Sequence, residues 1–131
     1  MEWSNKVVIL DTSIALAVFE NLIDLEEKLV ELLGNCKIVV PSTVKREIEN
    51  LAKYGKGKAR INAKSALRYI KRFEVVESME REVDKSIIEL ASKLRAAVAT
   101  NDRELRKKLR KLDLPVIYTR ERKKLSLEGI F

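Results

Sequence analysis

Five short apolar runs, separated by stretches of helical length, most constrain the fold of this 131-residue chain. Their length and apolar character are typical of buried strands. The predicted strands are Lys6 to Leu10, Lys37 to Val40, Phe73 to Val76, Ala96 to Ala99 and Pro115 to Tyr118. Because strands alternate with helices, the sequence predicts an α/β fold, a three-layer α/β/α sandwich with helices on both faces of a parallel sheet.

The segments between the strands carry apolar residues at helical spacing. The predicted helices begin near Ile14 and cover Asp24 to Leu33, Val44 to Lys53 (capped by Ser42 or Thr43), Ala59 to Arg72 (Ile61, Leu67 and Ile70 inward), Met79 to Leu94 (Val83, Ile87, Leu90, Ala91 and Leu94 on one side) and Arg103 to Leu112. A basic tail is expected after Tyr118. Since neither a linker nor a repeat interrupts this pattern, we expect one domain over residues 1–131.

The charge balance points to a polyanionic partner. Lys and Arg number 27 against 20 Asp and Glu, a formal charge of +7, and basic proteins attract nucleic acid. No apolar run approaches the roughly 20 residues of a membrane span, and Met1 to Lys6 has no apolar signal core. We therefore expect a cytoplasmic protein with no membrane partner.

Histidine is absent, and Cys36 is the only cysteine. This composition excludes histidine triads, imidazole ligands, thiolate zinc sites and an internal disulfide. The chemistry of any enzyme built from this chain must use carboxylates, hydroxyls, lysine or a bound cofactor.

Two acidic residues follow predicted strands. Asp11 ends the first strand, and Asp102 lies just past the Ala96 to Ala99 strand. Ligands of open parallel sheets bind at the carboxyl edge, so both carboxylates are expected there. Aspartates also follow strands simply as turn formers or helix caps, and this alternative stays open for each one alone.

Two further acids border the apolar side of predicted helices. Glu47 is three residues after Val44, and Asp84 is three residues before Ile87; such offsets share a helix face. Each could lie at the edge of its apolar stripe or pair with Lys or Arg. Four crowded carboxylates would repel one another unless a cation compensates, and Mg²⁺ or Mn²⁺ suits an all-oxygen site. Such a metal activates water and stabilises phosphoryl charge.

Three segments resemble the acidic motifs of PIN-domain ribonucleases. VVILDTS carries Asp11, VPSTVKREIENL carries Glu47, and VDKSIIELASKLRAAVATNDRELRKKL carries Asp84 and Asp102. The last segment, with the sequence up to RERK, looks most like the rRNA-processing PIN nucleases of the small-subunit processome and their archaeal relatives. The VapC-type toxins of toxin–antitoxin pairs share the same motifs and are the second group that the chain resembles.

The resemblance implies a sheet of order 3-2-1-4-5 and Mg²⁺- or Mn²⁺-dependent endonucleolytic hydrolysis of RNA phosphodiester bonds. The metal ligands and catalytic residues would be Asp11, Glu47, Asp84 and Asp102. Ser13 and Thr100 would orient carboxylates or water, and Glu104 would support a second metal. The first motif departs from the family in reading Asp-Thr-Ser where Asp-Thr-Asn is commoner, although serine can still donate a hydrogen bond.

Basic residues just after Asp102 predict an RNA-binding helix. They are Arg103, Arg106, Lys107 and Arg110, and the helix start would also favour phosphate. A merely solvated helix face is the alternative. The apolar ending, Leu125, Leu127, Ile130 and Phe131, either packs on the domain or joins a homodimer interface.

Three functions remain open at this point: an endoribonuclease acting on RNA such as rRNA; a ribonuclease toxin held by an antitoxin; and a non-catalytic RNA-binding or ribosome-assembly protein. Two other α/β classes with an Asp after the first strand fit worse. A haloacid-dehalogenase phosphatase needs a second Asp where Ser13 stands, and a response-regulator receiver needs an Asp where Glu77 and Ser78 follow the third strand.

Overall fold

The computed structural model describes residues 6–131. The N-terminal segment Met1 to Lys6, which was predicted to lack an apolar signal core, lies outside the described residues except for Lys6. The elements in chain order are β1 (Lys6–Leu10), α1 (Thr12–Glu20), α2 (Leu25–Leu33), β2 (Cys36–Pro41), α3 (Ser42–Tyr54), α4 (Gly57–Ile70), β3 (Glu74–Val76), α5 (Val83–Leu94), β4 (Ala97–Ala99), α6 (Arg103–Lys111), β5 (Val116–Arg120) and β6 (Lys124–Glu128). All five predicted strands are present.

The strands form one sheet of order β3-β2-β1-β4-β5-β6. Every neighbouring pair is parallel except β5 with β6, which is antiparallel. The predicted order 3-2-1-4-5 is therefore confirmed. Because β1 lies between β2 and β4, the carboxyl ends of β1 and β4 are neighbours, and ligands of open α/β sheets bind at such a point.

The core lies around β1, where Val8, Ile9 and Leu10 are all fully buried. Successive residues of a strand point to opposite faces, so both faces of the sheet are covered there. The buried cluster continues through β4 and β5 and into all six helices. The predicted three-layer arrangement is confirmed.

The predicted basic tail is wrong in part, because residues 124–128 form β6. This strand pairs with β5 along its length, from Lys124 opposite Arg120 to Glu128 opposite Val116. Leu125 and Leu127 alternate with polar residues and pack against the core. This period of two is typical of an antiparallel strand with one wet face.

The apolar ending packs mostly on its own domain. Phe131 joins Leu125 and Leu127 against the core, whereas Ile130 is 96% exposed. Packing on the domain, one of the two alternatives for this ending, therefore holds for Leu125, Leu127 and Phe131.

Two helix predictions need correction. In α4 the predicted Ile70 is buried and the predicted Leu67 packs against the core, whereas Ile61 is 64% exposed. The other buried residues of this helix are Ala63 and Ala66, which apolar size did not single out. Helix α5 begins at Val83, four residues later than predicted at Met79.

The loop before α5 is held by a side chain from the helix itself. Glu89 accepts hydrogen bonds from the hydroxyl of Ser78 and the backbone N–H of Met79. At the other end, Arg95 has φ 54 and terminates the helix, and Leu94, predicted to face inward, is 38% exposed.

None of the helices within residues 6–131 has both the length and the apolar character needed to cross a bilayer.

Candidate active site

Asp11 sits at the carboxyl end of β1 and is 6% exposed. Its backbone N–H donates to the carbonyl of Ala99 at 3.1 Å, which ties the ends of β1 and β4 together. Asp11 also precedes α1, but its side chain does not cap that helix. The carboxylate is therefore buried at the sheet edge without serving as a helix cap.

Two hydroxyl groups hold this carboxylate. Asp11 Oδ2 accepts from Ser13 Oγ at 2.9 Å and from Thr100 Oγ1 at 2.6 Å. Thr100 is fully buried, and its Oγ1 also accepts from the N–H of Asp102 at 3.0 Å. Ser13 and Thr100, both predicted to orient a carboxylate, contact the same one, and the serine of the Asp-Thr-Ser motif is an effective donor.

Asp102 caps α6. Its Oδ1 accepts from the backbone N–H groups of Glu104 at 2.9 Å and Leu105 at 3.2 Å. The alternative considered for this aspartate, a helix cap, therefore holds for one oxygen. Oδ2 has no donor among the described residues.

Asp84 lies in the first turn of α5 and is half-buried. Burial raises the pKa of its carboxyl group, the charges of Asp102 and Asp11 raise it further, and Lys108 opposes the shift. Like charges disfavour ionisation only when they are near. Three of the four predicted acids therefore share one electrostatic environment.

Glu47 reaches the same edge from α3. Its Oε1 accepts a hydrogen bond from the hydroxyl of Thr12, which is buried and adjacent to Asp11 in the chain. We call Asp11, Glu47, Asp84 and Asp102 the acidic cluster. Sequence reasoning missed Thr12; its position next to the strand-ending aspartate was the only signal.

A second missed feature links the two helices that carry Glu47 and Asp84. Ser86 Oγ donates to the carbonyl of Val83 at 2.7 Å, so Thr43 must donate its hydroxyl to Ser86 Oγ, at 2.6 Å. Both side chains are buried. Thr43 is thus not the N-cap of α3, as predicted for Ser42 or Thr43: Pro41 occupies that position and no side chain caps the helix.

The acidic side chains do not form a closed ligand cage as they stand. Within residues 6–131, no three of them are close enough to hold one metal ion. Repulsion between carboxylates favours this separation. Glu104, predicted to support a second metal, is 78% exposed and lies 4.0 Å from Lys107 Nζ; its role stays a prediction.

The four predicted RNA-binding residues share one face of α6. Arg103, Arg106, Lys107 and Arg110 line a cavity of about 440 Å³ together with Glu128 of β6. Two of them contact residues outside the helix, which sequence reasoning did not anticipate.

Arg106 pairs with Glu128 at 3.1 Å, and its guanidinium lies 3.7 Å from the centroid of the Tyr118 ring. Arg110 donates to the carbonyl of Leu114 at 3.0 Å. These contacts fix α6 against the end of the chain and leave Arg103 and Lys107 as the more available cations.

Comparison with known proteins gives the family. Residues 8–122 match the profile of the PIN-like domain family. Ribonuclease VapC9 of Archaeoglobus fulgidus is 37% identical over 127 residues, 95% of this chain and 93% of the relative. Ribonuclease VapC4 of Methanocaldococcus jannaschii is 31% identical over 127 residues, 94% of this chain and 97% of the relative.

Solved structures agree. The PIN domain endonuclease Utp24 superposes with a TM-score of 0.78 and 27% identity, covering 95% of this chain and 92% of that one. A domain of a functionally unknown protein from Methanocaldococcus jannaschii, 18% identical, has the same fold with a TM-score of 0.66, covering 96% of this chain and 99% of that one. The chain therefore belongs to the PIN-domain family of nucleases.

Proposed function

We propose that this chain is a metal-dependent endoribonuclease whose acidic cluster binds Mg²⁺ or Mn²⁺ and directs water against an RNA phosphodiester bond. The observation that carries the proposal is the geometry of the sheet edge, where the Thr100 hydroxyl joins the Asp11 carboxylate at 2.6 Å to the backbone N–H of Asp102 at 3.0 Å. The charges of both aspartates also raise the pKa of the partly buried Asp84. Gathering like charges in a partly buried place is costly unless a cation compensates. The names of its relatives, two ribonucleases and an endonuclease, support the same activity.

The residues present fit such a metal. The atoms of the acidic cluster that could ligate a metal are all carboxylate oxygens, which Mg²⁺ and Mn²⁺ prefer. At Asp11 the two hydroxyl donors occupy Oδ2, and at Asp102 the two backbone donors occupy Oδ1. Each side chain therefore keeps one oxygen free of donors from residues 6–131.

A bound divalent cation would supply an acidified water and stabilise charge on the phosphoryl oxygens. The chain itself supplies orientation. Ser13 and Thr100 fix the plane of the Asp11 carboxylate, and Thr12 fixes Glu47. Such supporting contacts typically change metal affinity or activity by roughly 10–100-fold.

The basic face of α6 is proposed to bind the RNA backbone. Arg103 and Lys107 are exposed and lie one turn apart just after Asp102, so both can contact phosphates near the acidic cluster. Arg106 and Arg110 line the same cavity and add positive charge, although they also hold the fold together. Contacts to phosphate set affinity and position but do not set sequence specificity.

Two biological settings fit this chemistry. An rRNA-processing role is supported by the likeness to Utp24, and a toxin role, with an antitoxin partner, is supported by the VapC names of two relatives. Purification from the native host separates them, because a toxin would bring along a partner that blocks its cleavage. A single domain over residues 1–131, a homodimer and a cytoplasmic location stay predictions.

The proposal is tested by incubating purified protein with labelled RNA in Mn²⁺, in Mg²⁺ and in EDTA. We expect internal cleavage with either metal and none with chelator. Asp11→Asn and Asp84→Asn should each reduce cleavage at least about 100-fold while the circular dichroism spectrum is retained.

Asp113→Asn is the matched control. Asp113 is exposed and has φ 61, a conformation that asparagine also tolerates, and it lies outside the acidic cluster. Equal cleavage by wild type and both cluster variants would refute the proposed ligands. RNA binding without cleavage under any metal would instead indicate a non-catalytic RNA-binding protein.

A further inference from the structure

Lys108 is the one cation that contacts the acidic cluster within residues 6–131. Its Nζ lies 4.0 Å from Asp84 Oδ2, and every other ion pair in the described chain involves acids outside the cluster. None of the predicted RNA-binding residues makes such a contact.

The rotation of α6 explains why Lys108 differs from its neighbours. Leu105 and Leu109 are fully buried and fix the inner side of the helix. With about 3.6 residues per turn, Arg106 and Lys108 fall on opposite flanks of that side. Arg106 meets Glu128 of β6, whereas Lys108 meets Asp84 of α5.

The contact with Asp84 is electrostatic and loose. A separation of 4.0 Å exceeds the roughly 2.7–3.2 Å of a hydrogen bond, and the Lys108 side chain is 55% exposed. The ammonium group therefore keeps its three donors for another acceptor. Lys108 would lose part of its attraction to Asp84 once that carboxylate ligates a metal, and the ammonium would then be free to pair with an anion.

We propose that Lys108 binds a phosphate of the RNA strand at the rim of the acidic cluster and stabilises the negative charge that develops there during cleavage. The inference rests on the proposed function and names a residue for it. A cation held close to the reacting phosphate stabilises the transition state more than the bound substrate. Lys108 should therefore affect the rate of cleavage more than the affinity for RNA.

The test compares Lys108→Gln and Lys108→Arg with Lys85→Gln. Lys85 lies on α5, is 65% exposed and pairs with Glu82 at 3.9 Å, so its substitution removes the same charge from the same neighbourhood. We expect Lys108→Gln to lower kcat by roughly tenfold or more. Removal of a preorganised hydrogen-bond donor from an active site lowers kcat by about 10²–10³-fold, which is the upper end of the expected fall. Lys108→Arg should retain most of the rate, and Lys85→Gln should cleave as wild type does.

Two further readouts separate a phosphate contact from a structural role. The Mn²⁺ dissociation constant of Lys108→Gln, measured by calorimetry without RNA, should equal that of wild type or be lower, since a competing cation has gone. In the Asp11→Asn background, where RNA stays intact, loss of Lys108 should flatten the slope of log K against log salt by about 0.7, the value for one single-strand phosphate.

Normal cleavage by Lys108→Gln would overturn the inference while leaving the proposed function intact. A loss of Mn²⁺ affinity that matches the loss of rate would also overturn it, because Lys108 would then serve the metal site. If wild type itself cleaves no RNA, the proposed function fails, and the salt slope alone decides whether Lys108 contacts phosphate.

Discussion

Thr100 supports two members of the acidic cluster at once, so its hydroxyl is a sensitive point of the whole site. Oγ1 donates to Asp11 Oδ2 at 2.6 Å and accepts from the N–H of Asp102 at 3.0 Å. Thr100→Val keeps the size of the side chain and removes both hydrogen bonds. The buried Asp11 carboxylate then keeps Ser13 as its one hydroxyl donor.

The loss of folding stability in Thr100→Val depends on the charge of the group that accepts the lost hydrogen bond. A hydrogen bond to an ionised group contributes about 1.5–3 kcal/mol. For a chain of 131 residues, average unfolding entropies convert this to a fall in Tm of roughly 5–11 °C. Because the hydroxyl orients a proposed ligand, Mn²⁺ affinity or cleavage should fall by roughly 10–100-fold.

The assay pairs differential scanning calorimetry with Mn²⁺-dependent RNA cleavage. Thr100→Ser restores the hydroxyl and should recover most of both properties. Thr119→Val is the control, because Thr119 lies on β5 outside the acidic cluster. If Thr100→Val melts and cleaves as Thr119→Val does, the hydroxyl does not support the site and this reasoning is wrong.

Three other results follow from the same contacts. Burial and neighbouring carboxylates raise the pKa of Asp84 above its ordinary 3.8, so the ionised side chain destabilises the metal-free protein. Asp84→Asn should therefore raise Tm at pH 7 in EDTA. The difference in Tm between this variant and wild type should shrink as the pH falls through the raised pKa, because the wild-type carboxyl group then becomes protonated. A lower Tm at pH 7 would contradict that sign. Ser86→Ala should cost about 1–3 kcal/mol in urea unfolding because the buried Thr43 hydroxyl loses its acceptor, and the cycle with Thr43→Val should be non-additive; additive values would exclude the coupling. Thr12→Val should lower cleavage roughly tenfold through Glu47, and unchanged cleavage would leave Thr12 without a role.

Much of the fold was predictable because strand signals are local. The runs at Lys6 to Leu10 and Lys37 to Val40 are apolar enough to be buried on both faces, and they are β1 and β2. Strand β6 was missed because Leu125 and Leu127 alternate with polar residues in a segment that was taken for a basic tail. Its pairing depends on β5, which lies earlier in the chain.

The approach of the acids was predictable, but their supports were not. Strand ends and helix faces placed Asp11 and Asp84 at one edge because those positions follow from backbone geometry. The contact between Thr12 and Glu47 spans 35 positions, and that between Thr43 and Ser86 spans 43. Such contacts depend on how α1, α3 and α5 pack, which a linear pattern does not encode.

The basic helix shows the same limit. Arg106 was predicted to bind RNA from its charge alone, although in the fold it contacts Glu128 and Tyr118. Lys108, which lies 4.0 Å from Asp84, was not among the predicted RNA-binding residues, because charge alone does not distinguish it from its neighbours. The rotation of α6, fixed by two buried leucines, separates these roles.

The central claim is that four separated carboxylates form one metal site, and a crystal grown with Mn²⁺ tests it most directly. Data collected at the manganese absorption edge should show an anomalous peak among the carboxylate oxygens of Asp11, Glu47, Asp84 and Asp102, the ligand type that Mn²⁺ prefers. A crystal of active protein whose anomalous peaks all lie away from these side chains would contradict the account.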